Sequence, residues 1–153
     1  QSDNPRDKQR VLDTFRAAHR FGMTTNLAAW AAAAIEMETE LTITLIEEEY
    51  FRRTESSQAE LTAITAALTM HGSQQDPALQ DRIFASYRVL LNHYPEFAPQ
   101  VATDLYAWKR SELIDVLAAI QESETALVTT GKQSIQRYLR AVTSSKESAL
   151  VRD

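Results

Sequence analysis

Residues 27–51 read LAAWAAAAIEMETELTITLIEEEYF, and the conformation of this stretch decides the fold. It contains no glycine or proline, and its first half is dominated by alanine, the residue that loses least side-chain entropy on entering a helix. The second half pulls the other way. Leu41-Thr42-Ile43-Thr44-Leu45 alternates apolar and polar side chains with the period of a strand. A strand would need turn residues at its ends, whereas the flanks offer alanine and glutamate. The stretch is therefore expected to be helical from Leu27 to Phe51.

The rest of the chain supports that choice. Its 153 residues include 3 glycines and 4 prolines, where average usage would supply roughly eleven and eight. Few turn residues mean few turns, and a strand-rich fold needs one every 8–12 residues or so. The expected fold is all-α: an antiparallel helical bundle of four to six helices, at least two of them long, in one domain spanning residues 1–153.

Before the stretch, Asn4-Pro5 is a helix start, since Asn can cap and Pro suits the first helical position. Val11, Leu12, Phe15, Ala18 and His19 then recur at helical spacing up to Gly22. After the stretch, Ser57-Gln58-Ala59-Glu60 forms a capping box ahead of the stripe Leu61, Ile64, Leu68 and His71. Gly72 and a polar loop come next, and Asp76-Pro77 opens a helix whose buried face should be Leu79, Ile83, Tyr87, Leu90 and Tyr94. Pro95 and Pro99 bracket a turn with Phe97 tucked inward. The next stripe jumps from Trp108 to Leu113, so Lys109-Arg110-Ser111 should be a register shift, kink or break. Beyond it come Val116, Leu117, Ile120 and Leu127, a weak point at Thr129-Thr130-Gly131, and then Ile135, Tyr138, Leu139, Val142, Ala149 and Leu150.

Composition narrows the chemistry. A formal net charge of −5 gives no overall positive field for a phosphate backbone, so a nucleic-acid partner is not expected. The absence of cysteine excludes disulfides, thiolate metal sites and cysteine nucleophiles. A carboxylate-bridged metal pair in a bundle needs Glu-x-x-His, but Arg16, Leu68 and Leu90 precede His19, His71 and His93 by three residues. No metal or cofactor is expected. Phosphate-binding, nucleophile-elbow and zinc-protease motifs are missing too, so no catalytic residue is assigned and the chain is not expected to be an enzyme. The longest uncharged run, Phe21–Ile35, is too short and too polar to span a bilayer.

The histidines at 19 and 71 extend apolar stripes and suit structural hydrogen bonds. Trp30 and Trp108 serve either as core anchors or as walls of an inter-helix cavity. The two tight basic pairs, Arg52-Arg53 and Lys109-Arg110, could grip a carboxylate or phosphate, or could offset neighbouring acids such as Glu47–Glu49, one turn from the first pair.

Ala29-Trp30, the segment Ala34-Ile35-Glu36-Met37-Glu38-Thr39-Glu40-Leu41, and then Arg53 together resemble the first long helix of bacterial sensory domains. These are the extracytoplasmic helical bundles of chemoreceptors, sensor histidine kinases and diguanylate cyclases, in which a glutamate-rich segment follows a Trp- or Leu-containing one. Many such segments carry Glu-Arg where this chain has Glu38-Thr39. The resemblance implies non-catalytic ligand sensing, with Arg53, Trp30, Trp108 and Arg52 holding a small-molecule or anionic ligand. It also implies a homodimer, a periplasmic location, and membrane attachment through segments flanking this region. The chain opens on Gln1 rather than Met, which fits a processed protein or an excised segment, one taken from between two membrane spans included. The alternative is a helical interaction or structural module of adaptor, secretion-associated or immunity type, which needs an exposed apolar stripe and no pocket.

Overall fold

The structure, a computed structural model, describes the backbone of residues 4–123 and 129–151 and the side chains of residues 4–123 and 132–146. Among these residues the chain is all-helical, with no strand. Its α-helices are α1 (Pro5–Arg20), α2 (Leu27–Met37), α3 (Thr39–Ile46), α4 (Gln58–Gly72), α5 (Pro77–His93), α6 (Ala98–Ala107), α7 (Ile114–Glu122) and α8 (Thr129–Val151). A π-helical turn, Glu47–Phe51, continues α3, and a 3₁₀ turn, Pro95–Phe97, precedes α6.

The all-α expectation holds, but the division is finer than four to six helices. Residues 27–51, expected as one helix, form α2, α3 and the π turn. Threonine chemistry accounts for the first interruption. Glu38 leaves helical geometry at φ −143° and ψ 76°, which ordinarily orphans the last carbonyls of the preceding helix. Here the Thr42 hydroxyl donates to Ala34 O at 2.9 Å and the Thr39 hydroxyl donates to Ile35 O at 2.9 Å. The threonine side chains thus join the Glu38 amide, which donates to Ala34 O at 2.9 Å, in satisfying α2's end without glycine or proline. The threonine alternation that imitates a strand belongs to this break. The second interruption is an i→i+5 bond from Arg52 N to Glu47 O at 2.9 Å, which widens the helix into a π turn.

The punctuation elsewhere behaves as its chemistry dictates. Asn4 Oδ1 accepts from Arg6 N at 3.1 Å, and Ser57 Oγ accepts from Glu60 N at 3.1 Å. Asp76 Oδ1 accepts from the amides of Ala78 and Leu79, and Phe97 is buried. Of the options at Lys109-Arg110-Ser111, the chain takes the break: α6 ends at Ala107, and Lys109 adopts φ 56°. Leu127 and the side chains of Ala149 and Leu150 lie outside the described residues.

The contacts group the chain into two compact units, Gln1–Val89 and Leu90–Asp153, with the boundary inside α5. In the first unit α2 lies against α1, α3 and α4. Ala31 and Ala34 are fully buried, and their short side chains let these neighbours approach closely. Leu12, Phe15, Leu27, Ile35, Ile43, Ile46, Leu61, Ile64 and Leu68 complete the core around them. Each such side chain contributes at most roughly 1.5–3 kcal/mol by leaving water.

Polar ties fix the registers within this unit. His71 Nε2 donates to Ala32 O at 2.9 Å and pins α4 to α2, a structural role. Arg82 on α5 reaches α3 and the π turn, with Glu40 Oε2 at 2.9 Å from Nε and Glu47 Oε1 at 2.5 Å from a terminal nitrogen. In the second unit α8 packs on α6 and α7 over Val101, Leu105, Leu113, Leu117, Ile135 and Tyr138.

Candidate functional site

Three polar residues of the first unit occupy positions where the apolar stripes call for hydrocarbon. His19 stands four residues after Phe15 on α1, Tyr50 four after Ile46, and Glu60 four before Ile64 on α4. Each is carried toward the interior at the end of its element. The π turn assists, because its wider coil lets both Tyr50 and Phe51 follow Ile46 into full burial. Around them opens a cleft of about 590 Å³, lined also by Arg16, Arg20, Gly22, Leu45, Glu49, Arg53, Glu55 and Ser56.

The Ser57 cap places Glu60. Its backbone amide donates to Ser57 Oγ, and its Oε1 accepts from the same hydroxyl at 3.2 Å. Oε2 is left 4.0 Å from His19 Nδ1. On the other side of the imidazole, Glu49 Oε2 stands 3.3 Å from Nε2 and 2.6 Å from an Arg53 terminal nitrogen. The Tyr50 ring meets the imidazole edge-on at 4.6 Å, with Phe15 behind it at 5.9 Å.

Two buried polar atoms of this cluster, the Tyr50 hydroxyl and His19 Nδ1, have no hydrogen-bond partner among the described residues. Burial, reinforced by the negative charges of Glu60 and Glu49, pushes the Tyr50 phenol far above its ordinary range. The phenol therefore stays neutral and keeps a proton to donate. At the rim, Arg16 is 4.0 Å from Asp13, and Arg20 has no ion-pair partner among the described residues. The floor thus offers carboxylate acceptors, a phenol donor and an imidazole, while the rim offers guanidinium groups.

His19 faces two carboxylates, and the nearby Ser56 hydroxyl is spent on Tyr50 O at 2.7 Å. A base–nucleophile pair of the kind covalent catalysis requires is not formed here. Among the described residues no group of three or more histidine and carboxylate side chains is arranged to hold a metal ion. Nor is any helix among them long and apolar enough to cross a membrane.

Of the residues singled out from sequence, Arg53 lines the cleft, paired with Glu49 as the charge-offsetting alternative anticipated. Arg52 caps the π turn through its backbone and carries an exposed side chain away from the lining. Trp30, 38% exposed on α2, does not line the cleft either. Trp108 terminates α6 in the second unit. His19, Glu49, Tyr50 and Glu60 were not legible as a group, because His19 and Glu60 each had a sufficient local explanation. Their shared signal is a polar side chain in phase with an apolar stripe. Comparison of the chain with protein-family models, with curated proteins and with solved structures finds no significant match.

Proposed function

We propose that this chain is a non-catalytic ligand-sensing domain, an antiparallel helical bundle that binds a small polar molecule in the cleft between α1, the π turn and α4. The observation that carries this is the pair of buried polar atoms without a partner among the described residues, the Tyr50 hydroxyl and His19 Nδ1, inside an open and charged cleft. A buried polar group left unsatisfied costs about 1–3 kcal/mol, which a ligand bearing an acceptor and a donor recovers. Arg16 and Arg20 at the rim favour a ligand with an anionic end.

The π turn supplies a route for the signal. A ligand seated on Tyr50 bears on a turn that has a competing α-helical alternative, and exchange between the two shifts α3 by less than a turn. That is the scale of displacement a helical receptor passes to an output domain. The setting that fits is a bacterial membrane signalling protein with this bundle on the periplasmic side, in keeping with the sequence resemblance at Trp30 to Leu41.

Calorimetric titration and thermal melts with amino acids, small carboxylates and nitrate test the proposal. A true ligand raises Tm with concentration, and Tyr50→Phe and Arg53→Ala each weaken it. If none of these compounds moves Tm, or if Tyr50→Phe responds like the parent, the cleft is not a sensing site.

A second function is favoured by one observation. Phe21 and Met23, 73% and 52% exposed, flank Gly22 at the rim of the same cleft. Such side chains suit a protein contact, including a homodimer, and would make the chain a helical interaction module. Sedimentation of a Phe21→Ser/Met23→Ser variant separates the two. Loss of self-association together with a parent indifferent to ligands favours the interaction module.

A further inference from the structure

The second unit contains a cleft of its own, about 630 Å³, formed by α6, the break after it and α8. One wall is apolar, built from Leu105, Ala141, Val142 and the half-exposed ring of Tyr106. Every charged side chain in the lining is positive: Lys109, Arg110 and Lys146. In a chain of net charge −5 this is a local reversal of sign. Arg110 is held by Glu112, whose Oε1 takes two of its nitrogens at 2.7 Å. Among the described residues neither Lys109 nor Lys146 has an ion-pair partner.

Two further features point at a ligand. Tyr138 is 1% exposed and lines this cleft, yet its hydroxyl has no hydrogen-bond partner among the described residues. Burial, with smaller contributions from Glu112 and Asp115, pushes its pKa up to about 12, so the phenol is a standing donor. Lys109 occupies φ 56°, a conformation in which glycine is free of strain. A lysine there keeps an ammonium at the cleft at the expense of the backbone.

We propose that this cleft binds an anionic amphiphile, a free carboxylate whose head meets Lys109, Lys146 and the Tyr138 hydroxyl and whose apolar body lies along Tyr106 and Val142. A bare inorganic anion has no use for the apolar wall. A neutral hydrocarbon has no use for two ammonium groups.

The test is calorimetry of the full chain with sodium decanoate below its micellar concentration, beside decanol, acetate and anionic phospholipid vesicles. Decanoate should bind saturably, with decanol and acetate at least about tenfold weaker. Lys146→Glu should weaken decanoate about tenfold or more, and Lys146→Arg should restore it. Lys109→Gly separates binding from folding, because it removes the ammonium while suiting φ 56°. Its Tm should rise as its affinity for decanoate falls. The proposal is overturned if decanol or acetate matches decanoate, if binding appears with vesicles alone, or if Lys109→Gly binds decanoate as the parent does.

Discussion

Tyr50 and Tyr138 are buried phenols with nothing among the described residues to receive their protons, one in each unit. Folding gains nothing from either hydroxyl, so Tyr50→Phe should leave the ligand-free chain as stable as the parent or up to about 1 kcal/mol more stable. Urea denaturation would read this, and a loss above about 1 kcal/mol would mean that the hydroxyl has a structural partner. Backbone strain gives a second comparison. Gly22 and Lys109 sit at nearly the same φ, 60° and 56°. Lys109→Gly should therefore stabilise by about 1 kcal/mol and Gly22→Ala destabilise by a similar amount. A Cβ at Gly22 would meet no atom within 4 Å, so conformation alone sets the sign there. At this scale the sequence hid the site behind adequate local explanations: Glu60 completes a capping box, and His19 extends a stripe. Their meeting with Glu49 requires three elements to converge, which no local pattern encodes.

The elements divide by how their ends are made. Ends at Asn4-Pro5, Ser57 and Asp76-Pro77 were legible because capping side chains and proline act within a few residues. The end of α2 was not, because Thr42 supplies its hydroxyl to a carbonyl eight residues back. The strand-like alternation at Leu41–Leu45 was real information about that break, expressed in a pattern that ordinarily means something else. The π turn has no punctuation at all. What holds α3 and this turn to α5 is Arg82, with side chains of Glu47 and Ser86 converging on it and Glu47 14% exposed. Arg82→Ala should cost about 2–3 kcal/mol by leaving Glu47 without its cation. Parallel loss of helicity and of Tm in the variant would establish the tie, and an unchanged Tm would show that solvent replaces it.

For the molecule as a whole, composition sufficed for the all-α class, since scarce glycine and proline leave few places to turn. The grouping into two compact units was beyond it, because the boundary falls inside the uninterrupted helix α5. The two units nonetheless share one response to alkali. The Tyr138 pKa is pushed up to about 12 by burial first, and the Tyr50 phenol is raised further still by burial and two nearby glutamates. Both hold their protons more tightly when folded than when unfolded. Neither phenol's ionisation costs the fold anything below the ordinary tyrosine value of about 10, and stability falls as pH climbs from there toward 12. Melting temperatures measured from about pH 9 upward should fall accordingly, and more gently in a Tyr50→Phe/Tyr138→Phe double variant. An equal fall in the two proteins would place the alkaline weakness elsewhere.

The π turn has a consequence for heredity as well as for motion. A coil one residue too wide differs from an ordinary helix by a single codon, and each residue removed rotates the remainder of the helix by about 100°. Deleting the exposed Glu48 would leave every side chain of the cleft present in the chain. It would bring Tyr50 and Phe51 to three and four residues after Ile46, still on its face of an ordinary helix, but carry Glu49 from three residues after Ile46 to two, off that face and away from His19.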